Sequence, residues 1–332
     1  MIDALILREF AEDFVHEDLT SIACVPGGLR ARARVVLKQR GCVAGLKWIE
    51  RIFQLRDLEL KVEVLGEDGQ MYDKGSVLAE VEGPAHSLLS AERVAVNFLQ
   101  HLCGVATLTA KCVEKVKGTK CQILDTRKTI LGLRSLQKYA VRMGGGTNHR
   151  LHLADQILIK NNHLALSDLV SCIRRAKIAY PKHRIEVEID SPADFIPAVE
   201  AGADAILLDN MSPQQVRECV QCNQEPVAKL QCWPKSALLP PSSVPPQVAY
   251  GRSDMSTCGE RESAPKSSNL GRAASFATGS QKKVYLEASG GITLETLSAY
   301  AATGVDGISI GALTHSAPAL DISMRIEPLR IL

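Results

Sequence analysis

Two short apolar runs in this chain end in cations. Ile123-Leu124 gives way to Asp125-Thr126-Arg127-Lys128, and Ile157-Leu158-Ile159 gives way to Lys160-Asn161-Asn162-His163. Between them lie a helical stretch, three glycines (Gly144, Gly145, Gly146) and Asn148-His149-Arg150. Cations that follow buried strands are costly to desolvate unless something anionic meets them. Taken singly, Arg127, Lys128, His149, Arg150 and Lys160 each read as a salt bridge on a solvated rim. Converging at adjacent strand ends, they read as a site for a highly charged anion. Arg127 suits two-pronged recognition of a carboxylate or phosphate, and the glycines let the backbone approach a ligand closely.

Carboxylates follow the same positional rule. Glu188 and Asp209 each end an apolar run. Facing several cations, they fit either Mg²⁺ held jointly with substrate phosphates or simple pairing with the lysines. Ser289-Gly290-Gly291 and Gly311-Ala312 offer backbone N–H groups of the kind that late barrel loops present to phosphate. Thr314-His315-Ser316 suits a helix cap or a contact to the same phosphate. Lys160 also permits a Schiff-base lyase, and the whole cluster permits an anion-binding protein without catalysis. Arg93, beside Glu92 on a helical stretch, reads from pattern alone as a solvated surface residue.

The elements that must position these residues fall into two groups. Up to about residue 105 the pattern gives a helix over 2–14, strands over 29–36, 58–65 and 77–81, and a helix over 46–55. A long helix over 88–117 follows, with a break expected at Gly104. Strands followed by a helix suggest an α+β domain with an antiparallel sheet. From residue 106 to 332 six short strands alternate with helices: 123–125, 157–160, 185–188, 206–209, 284–287 and 308–311. That alternation predicts a parallel sheet. Reactive residues at nearly every strand end favour an α/β barrel, here incomplete because only six units are visible. Between the fourth and fifth strands, about 224–282, the chain holds seven of its fifteen prolines. It reads as a disordered insertion.

Bulk composition limits the alternatives. At 332 residues, 45% hydrophobic and 23% charged, the chain is ordinary for a globular protein. A formal charge of +2 gives no general surface for nucleic acid or membrane. No run approaches a membrane span, and the N-terminus lacks the basic start of a secretion signal. Ten scattered cysteines suggest reduced thiols and a cytoplasmic setting. Cys219-Val220-Gln221-Cys222 lacks the second pair that a structural metal site needs.

The words GPAHSLLSAERVAVNFLQHLCGVAT, LDTRKT, KYAVRMGGGTNHR, LIKNNH, IEVEID, ILLDNMSP, EASGGITLETL and GVDGISIGALTHSAPALDISM span almost everything outside the insertion. On them the chain closely resembles the quinolinate phosphoribosyltransferase family. The resemblance implies an N-terminal α+β domain, a six-stranded incomplete α/β barrel, and a homodimer whose active sites are completed across subunits. The implied reaction joins quinolinate to phosphoribosyl pyrophosphate with Mg²⁺, giving nicotinate mononucleotide, pyrophosphate and CO₂. It implies that Arg93 reaches the neighbouring subunit's quinolinate, and that Arg127, His149 and Arg150 face the diacid with Lys128 and Lys160 beside them. Glu188 and Asp209 are implied near the ribose and Mg²⁺; Ser289, Gly290, Gly291, Gly311 and His315 are expected at the phosphate. Where the family usually has Thr-Pro this chain has Ile130-Leu131, so a less rigid turn is expected there.

Overall fold

The structure, a computed structural model, describes residues 2–224 and 283–329. The amphipathic start folds as α1 (Ile2–Glu12), burying Ile6 and Phe10. A short α2 (Leu19–Cys24) follows, capped by the Asp18 carboxylate accepting from the Ser21 N–H. Alternation over residues 30–37 yields β1 (Arg30–Leu37), whose Ala31, Ala33 and Val35 turn into the core. Next come β2 (Gly41–Cys42), α3 (Ile49–Arg56), β3 (Lys61–Val64), β4 (Met71–Tyr72), β5 (Val77–Pro84) and the long α4 (Ala85–Lys115). α4 runs unbroken through Gly104. That residue is small for a packing reason: a Cβ there would lie 2.2 Å from the Pro318 carbonyl oxygen. Gly104→Ala is therefore expected to lower stability by about 1–3 kcal/mol through overpacking, despite alanine's better helix propensity. The midpoint of urea unfolding measures this.

Beyond α4 the chain alternates as expected. It forms β6 (Gln122–Leu124), α5 (Arg134–Met143), β7 (Ile157–Ile159), α6 (Asn161–Leu164), α7 (Leu169–Ala179) and β8 (Ile185–Ile189). Then come α8 (Phe195–Ala201), β9 (Ala205–Asp209), α9 (Pro213–Gln224), β10 (Tyr285–Ser289), α10 (Leu297–Ala301), β11 (Gly307–Ser309) and α11 (Ala312–His315). These six strands make one parallel sheet ordered β6-β11-β10-β9-β8-β7. The incomplete barrel is open between β6 and β7, where α5 and the glycine turn intervene and Thr147 bridges to Leu124. The last strand, β12 (Ile322–Pro328), leaves the barrel and pairs antiparallel with β1, from Ala31 opposite Pro328 to Leu37 opposite Ile322. The first sheet is thus ordered β12-β1-β5-β3. A division that assigns everything past residue 105 to the barrel misses this return of the chain.

The region expected as an insertion lies, apart from Gln224, outside the described residues. The described chain leaves after α9 and resumes at Lys283, just before β10, at the end of the strands opposite Asp209 and Ser289. Cys219 and Cys222 are buried on α9, and burial pushes the Cys219 thiol up to about 12. Such a thiol is unsuited to thiolate chemistry at neutral pH.

Candidate active site

Asp125, one residue past β6, is fully buried and organises the mouth of the barrel. Its carboxylate pairs with Lys138 from α5, itself 2% exposed, and accepts from the Asn148 amide at 2.5 Å and the His149 backbone N–H at 2.9 Å. Lys138 also donates to the His149 carbonyl at 2.9 Å. One ion pair therefore ties the loop carrying Arg127 to the loop carrying His149 and Arg150. The glycines between them serve packing rather than ligand approach, which corrects the sequence reading. A Cβ on Gly144 would sit 2.4 Å from the Ala106 carbonyl oxygen, and one on Gly146 would sit 2.7 Å from Thr109 Cγ2, both on α4.

The loop after β6 is clamped on its far side too. Thr314, whose hydroxyl was expected as a helix cap or phosphate contact, donates it to the Lys128 carbonyl at 2.7 Å. Gln137, fully buried, accepts from the Ile130 N–H at 3.0 Å and donates to the Thr314 carbonyl. Held this way, Arg127 keeps a buried Nε that meets no acceptor among the described residues. Burial, and then the Arg127 charge beside it, holds Arg150 below the usual arginine range. The two guanidinium charges act on one another, Arg150 donates to the Gln156 carbonyl at 3.3 Å, and Arg127 keeps a buried donor unused, an arrangement that suits a carboxylate-bearing ligand.

His149 lies differently from a simple carboxylate-facing cation. Its Nε2 approaches Glu186 Oε2 at 3.1 Å and Glu287 Oε2 at 3.4 Å inside the barrel, while its Nδ1 accepts from the Arg150 N–H at 2.7 Å. Lys160 pairs with Glu188, and an ammonium so engaged is a poor nucleophile, which counts against the Schiff-base reading. Asp209 ends β9, one strand over from Glu188. Burial, and then the Glu188 charge, holds its carboxyl above the usual range. Two hard-oxygen donors that repel one another suit a divalent cation, so these residues fit Mg²⁺.

At the other side of the mouth, Gly290 (φ +92°) has no room for a Cβ, which would fall 2.3 Å from Asn210 Oδ1. The loops after β9 and β10 are thereby pressed together, with the Asn210 N–H on the Ser289 carbonyl at 2.8 Å. Gly291 is exposed with φ +62°. Near Gly311, a Cβ would lie 3.1 Å from both Lys128 Cδ and His315 Nε2, so these two basic side chains flank that glycine. Arg93 stands apart. It is exposed on α4 and lines a groove of about 470 Å³ with Glu9 and Asp13 near α1 and with Ile130 and Leu131.

Sequence reasoning missed Lys138, Gln137, Glu186 and Glu287. Glu186 was legible in principle, because it precedes Glu188 by two residues and so shares its face of β8. Glu287 carried the same signal relative to Ser289. Lys138 and Gln137 gave none, since polar residues on a short helix look like a solvated face.

A six-stranded incomplete α/β barrel whose strand ends collect arginines, lysines and paired carboxylates defines an enzyme of polyanionic substrates. The chain matches the description "Quinolinate phosphoribosyl transferase, N-terminal domain" over residues 18–103 and "Quinolinate phosphoribosyl transferase, C-terminal domain" over residues 105–232 and 264–325. It is 38% identical, over 97% of its length and 92% of the relative's, to a probable nicotinate-nucleotide pyrophosphorylase [carboxylating] of Bacillus subtilis. The corresponding Mycobacterium leprae protein is 36% identical over 96% of this chain and 95% of its own. A crystal structure of nicotinate-nucleotide pyrophosphorylase from Ehrlichia chaffeensis superposes with a TM-score of 0.78 at 28% identity, covering 98% of this chain and 99% of that one. The chain belongs to the quinolinate phosphoribosyltransferase family.

Proposed function

We propose that this chain transfers the phosphoribosyl group of phosphoribosyl pyrophosphate to quinolinate, with decarboxylation, to give nicotinate mononucleotide, pyrophosphate and CO₂ for NAD synthesis. The observation that carries the reading is the pair Arg127 and Arg150, crowded together at the barrel mouth with a buried Nε left unmatched. Two such cations, with Lys160 at the end of β7, suit a pyridine diacid brought against a sugar pyrophosphate.

Each residue has a physical part. Arg127 and Arg150 grip the carboxylates, with His149 behind them. Lys160 and Glu188, paired across β7 and β8, meet the ribose, with Asp209 one strand further. Lys128, His315 and the backbone N–H groups around Ser289, Gly290, Gly291 and Gly311 take the phosphates. Preorganised cations of this kind supply most of the help when several anions must be crowded together. Mg²⁺, held by Glu188 and Asp209 with the substrate phosphates, would neutralise charge on the departing pyrophosphate. The sugar carbon loses pyrophosphate and bonds to the ring nitrogen. The resulting pyridinium charge stabilises the electron pair left on the ring carbon when the neighbouring carboxylate departs as CO₂, and that carbon then takes a proton from solvent. No covalent bond to the protein is needed.

Arg93 lies outside the strand-end cluster of its own chain, so the reading places it in a second copy's site within a homodimer, in a cytoplasmic setting. The test is a Mg²⁺-dependent assay for CO₂ and nicotinate mononucleotide from the two substrates. Arg127→Ala and Arg93→Ala are each expected to be nearly inactive, and mixed dimers of the two to recover part of the activity. Absence of product from the wild-type chain sinks the function. No recovery in verified mixed dimers sinks the shared site alone.

A further inference from the structure

Three polar residues on α4, Arg93, Asn97 and His101, fall at i, i+4 and i+8, so they share one face of the helix, and all three line the groove beside α1. Spacing of that kind reads as a solvated stripe. The last member departs from it. His101 is half-buried, and its Nε2 lies 3.0 Å from the side-chain amide nitrogen of Gln137, a fully buried residue of α5. The orientation of that amide is fixed from two sides. Gln137 Oε1 accepts from the Ile130 backbone N–H at 3.0 Å, and Gln137 Nε2 donates to the Thr314 carbonyl. The remaining amide proton is left for His101, whose Nε2 accepts it as a neutral imidazole with its own proton on Nδ1. Burial, which holds the imidazole below the usual histidine range, favours the same form. We propose that His101 is a positioning residue for the diacid site: it completes the hydrogen bonds of Gln137 and so keeps the loop after β6 in the shape that presents Arg127. The inference rests on the functional reading above, because the loop needs one shape only if Arg127 grips a ligand.

The other bonds of the loop near Ile130 are local. The Thr129 N–H donates to the Arg127 carbonyl at 3.0 Å, the Leu133 N–H to the Ile130 carbonyl at 3.1 Å, and Arg134 Nε to the Thr129 hydroxyl at 3.2 Å. They shape the turn, whereas Gln137 ties it to α4 through His101 and to α11 through the Thr314 carbonyl. Apolar burial adds little at the tip, where Ile130 is 43% exposed and Leu131 93%. Without His101 as acceptor, a buried amide N–H is left unpaired. The Gln137 side chain can avoid that cost only by turning, which releases Ile130 or Thr314. Lys128 has its own anchors: its N–H donates to Thr126 Oγ1 at 3.0 Å, and its carbonyl accepts from the Thr314 hydroxyl at 2.7 Å. The part of the loop that depends on His101 is therefore the part that carries Arg127.

Steady-state kinetics of a small set of variants, beside thermal melts, tests the proposal. His101→Phe keeps a ring but loses the acceptor, and is expected to lower kcat/KM for quinolinate by about five- to tenfold, the worth of one hydrogen bond. His101→Gln, which keeps a side-chain acceptor, is expected to stay within about twofold of wild type. In the Arg127→Ala background, where the group being positioned is gone, His101→Phe is expected to have no further effect. A role in folding alone would instead lower activity in step with melting temperature and add to the loss in Arg127→Ala. Where phenylalanine is not accommodated, His101→Leu carries the same comparison. Equal losses in the phenylalanine and glutamine variants, no loss in either, or a full further loss in the Arg127→Ala background overturns the proposal. A wild-type chain that makes no nicotinate mononucleotide overturns the functional reading and this inference with it.

Discussion

Arg127→Ala is expected to lower kcat/KM for quinolinate by about 10²–10³-fold, the range for removing one preorganised charged donor from a transition-state site. The same change should leave the protein as stable as before, or slightly more so. Arg127 sits with its Nε buried and unmatched, and its charge already disfavours that of Arg150. Its removal takes away a buried, unmatched Nε in the free protein and a grip on the bound substrate. Arg127→Lys should recover little of the lost activity. A lysine ammonium is a point charge and cannot reproduce the paired donors of a guanidinium. Steady-state kinetics with both substrates, beside thermal melts, separates these effects. A lysine variant close to wild type, or a large drop in melting temperature for the alanine variant, would remove Arg127 from the role given to it.

Much of this site could be read before any coordinates, for a definable reason. Residues at the C-terminal ends of parallel strands must gather at one mouth, so Arg127, Lys160, Glu188 and Asp209 announced themselves by following short apolar runs. The glycine loops after β10 and β11 could likewise be read from pattern, whereas Arg93 looked bland by pattern and only the resemblance sets it toward a second copy's site. What stayed hidden depends on contacts distant in sequence. Gly104 resembled a helix break because nothing nearby shows that Pro318 crosses there. The glycines before Thr147 resembled a ligand cradle because their true partners, Ala106 and Thr109, lie on another helix. Strand β12 joins the first sheet across nearly the whole chain, a pairing that its own residues do not signal. The sequence also gave no sign that the Nε2 of His149 meets two carboxylates brought in from β8 and β10.

The larger stability effect is expected from Lys138→Met, at about 3–5 kcal/mol, the usual cost of stripping one partner from a buried ion pair. Lys138 is 2% exposed and Asp125 fully buried, so methionine would leave a carboxylate with the Asn148 amide and the His149 N–H but no countercharge. The pair is not a source of large net stability. Burial first, only partly opposed by Lys138, holds Asp125 above the usual carboxylate range, and burial holds Lys138 below the usual lysine range. An acid whose native pKa is raised binds more protons folded than unfolded, so its contribution falls as pH rises from the unfolded to the native value. For a lysine with a lowered native pKa the unfolded chain binds more protons, and stability rises with pH through that window. Both directions say that ionising the pair inside the protein costs free energy, which the geometry of the two loops makes necessary. The double variant Asp125→Asn/Lys138→Met should therefore regain much of the stability lost in Lys138→Met while remaining poorly active. Its loop would keep only one of the Asn148 and His149 contacts, because an asparagine offers one acceptor oxygen where the aspartate offers two, and it would lack the ion pair that ties the two loops together. Chemical denaturation of the two single variants and the double gives the coupling directly. Additive losses would mean that Asp125 and Lys138 do not act as a unit, and the arrangement of the barrel mouth around them would have to be abandoned.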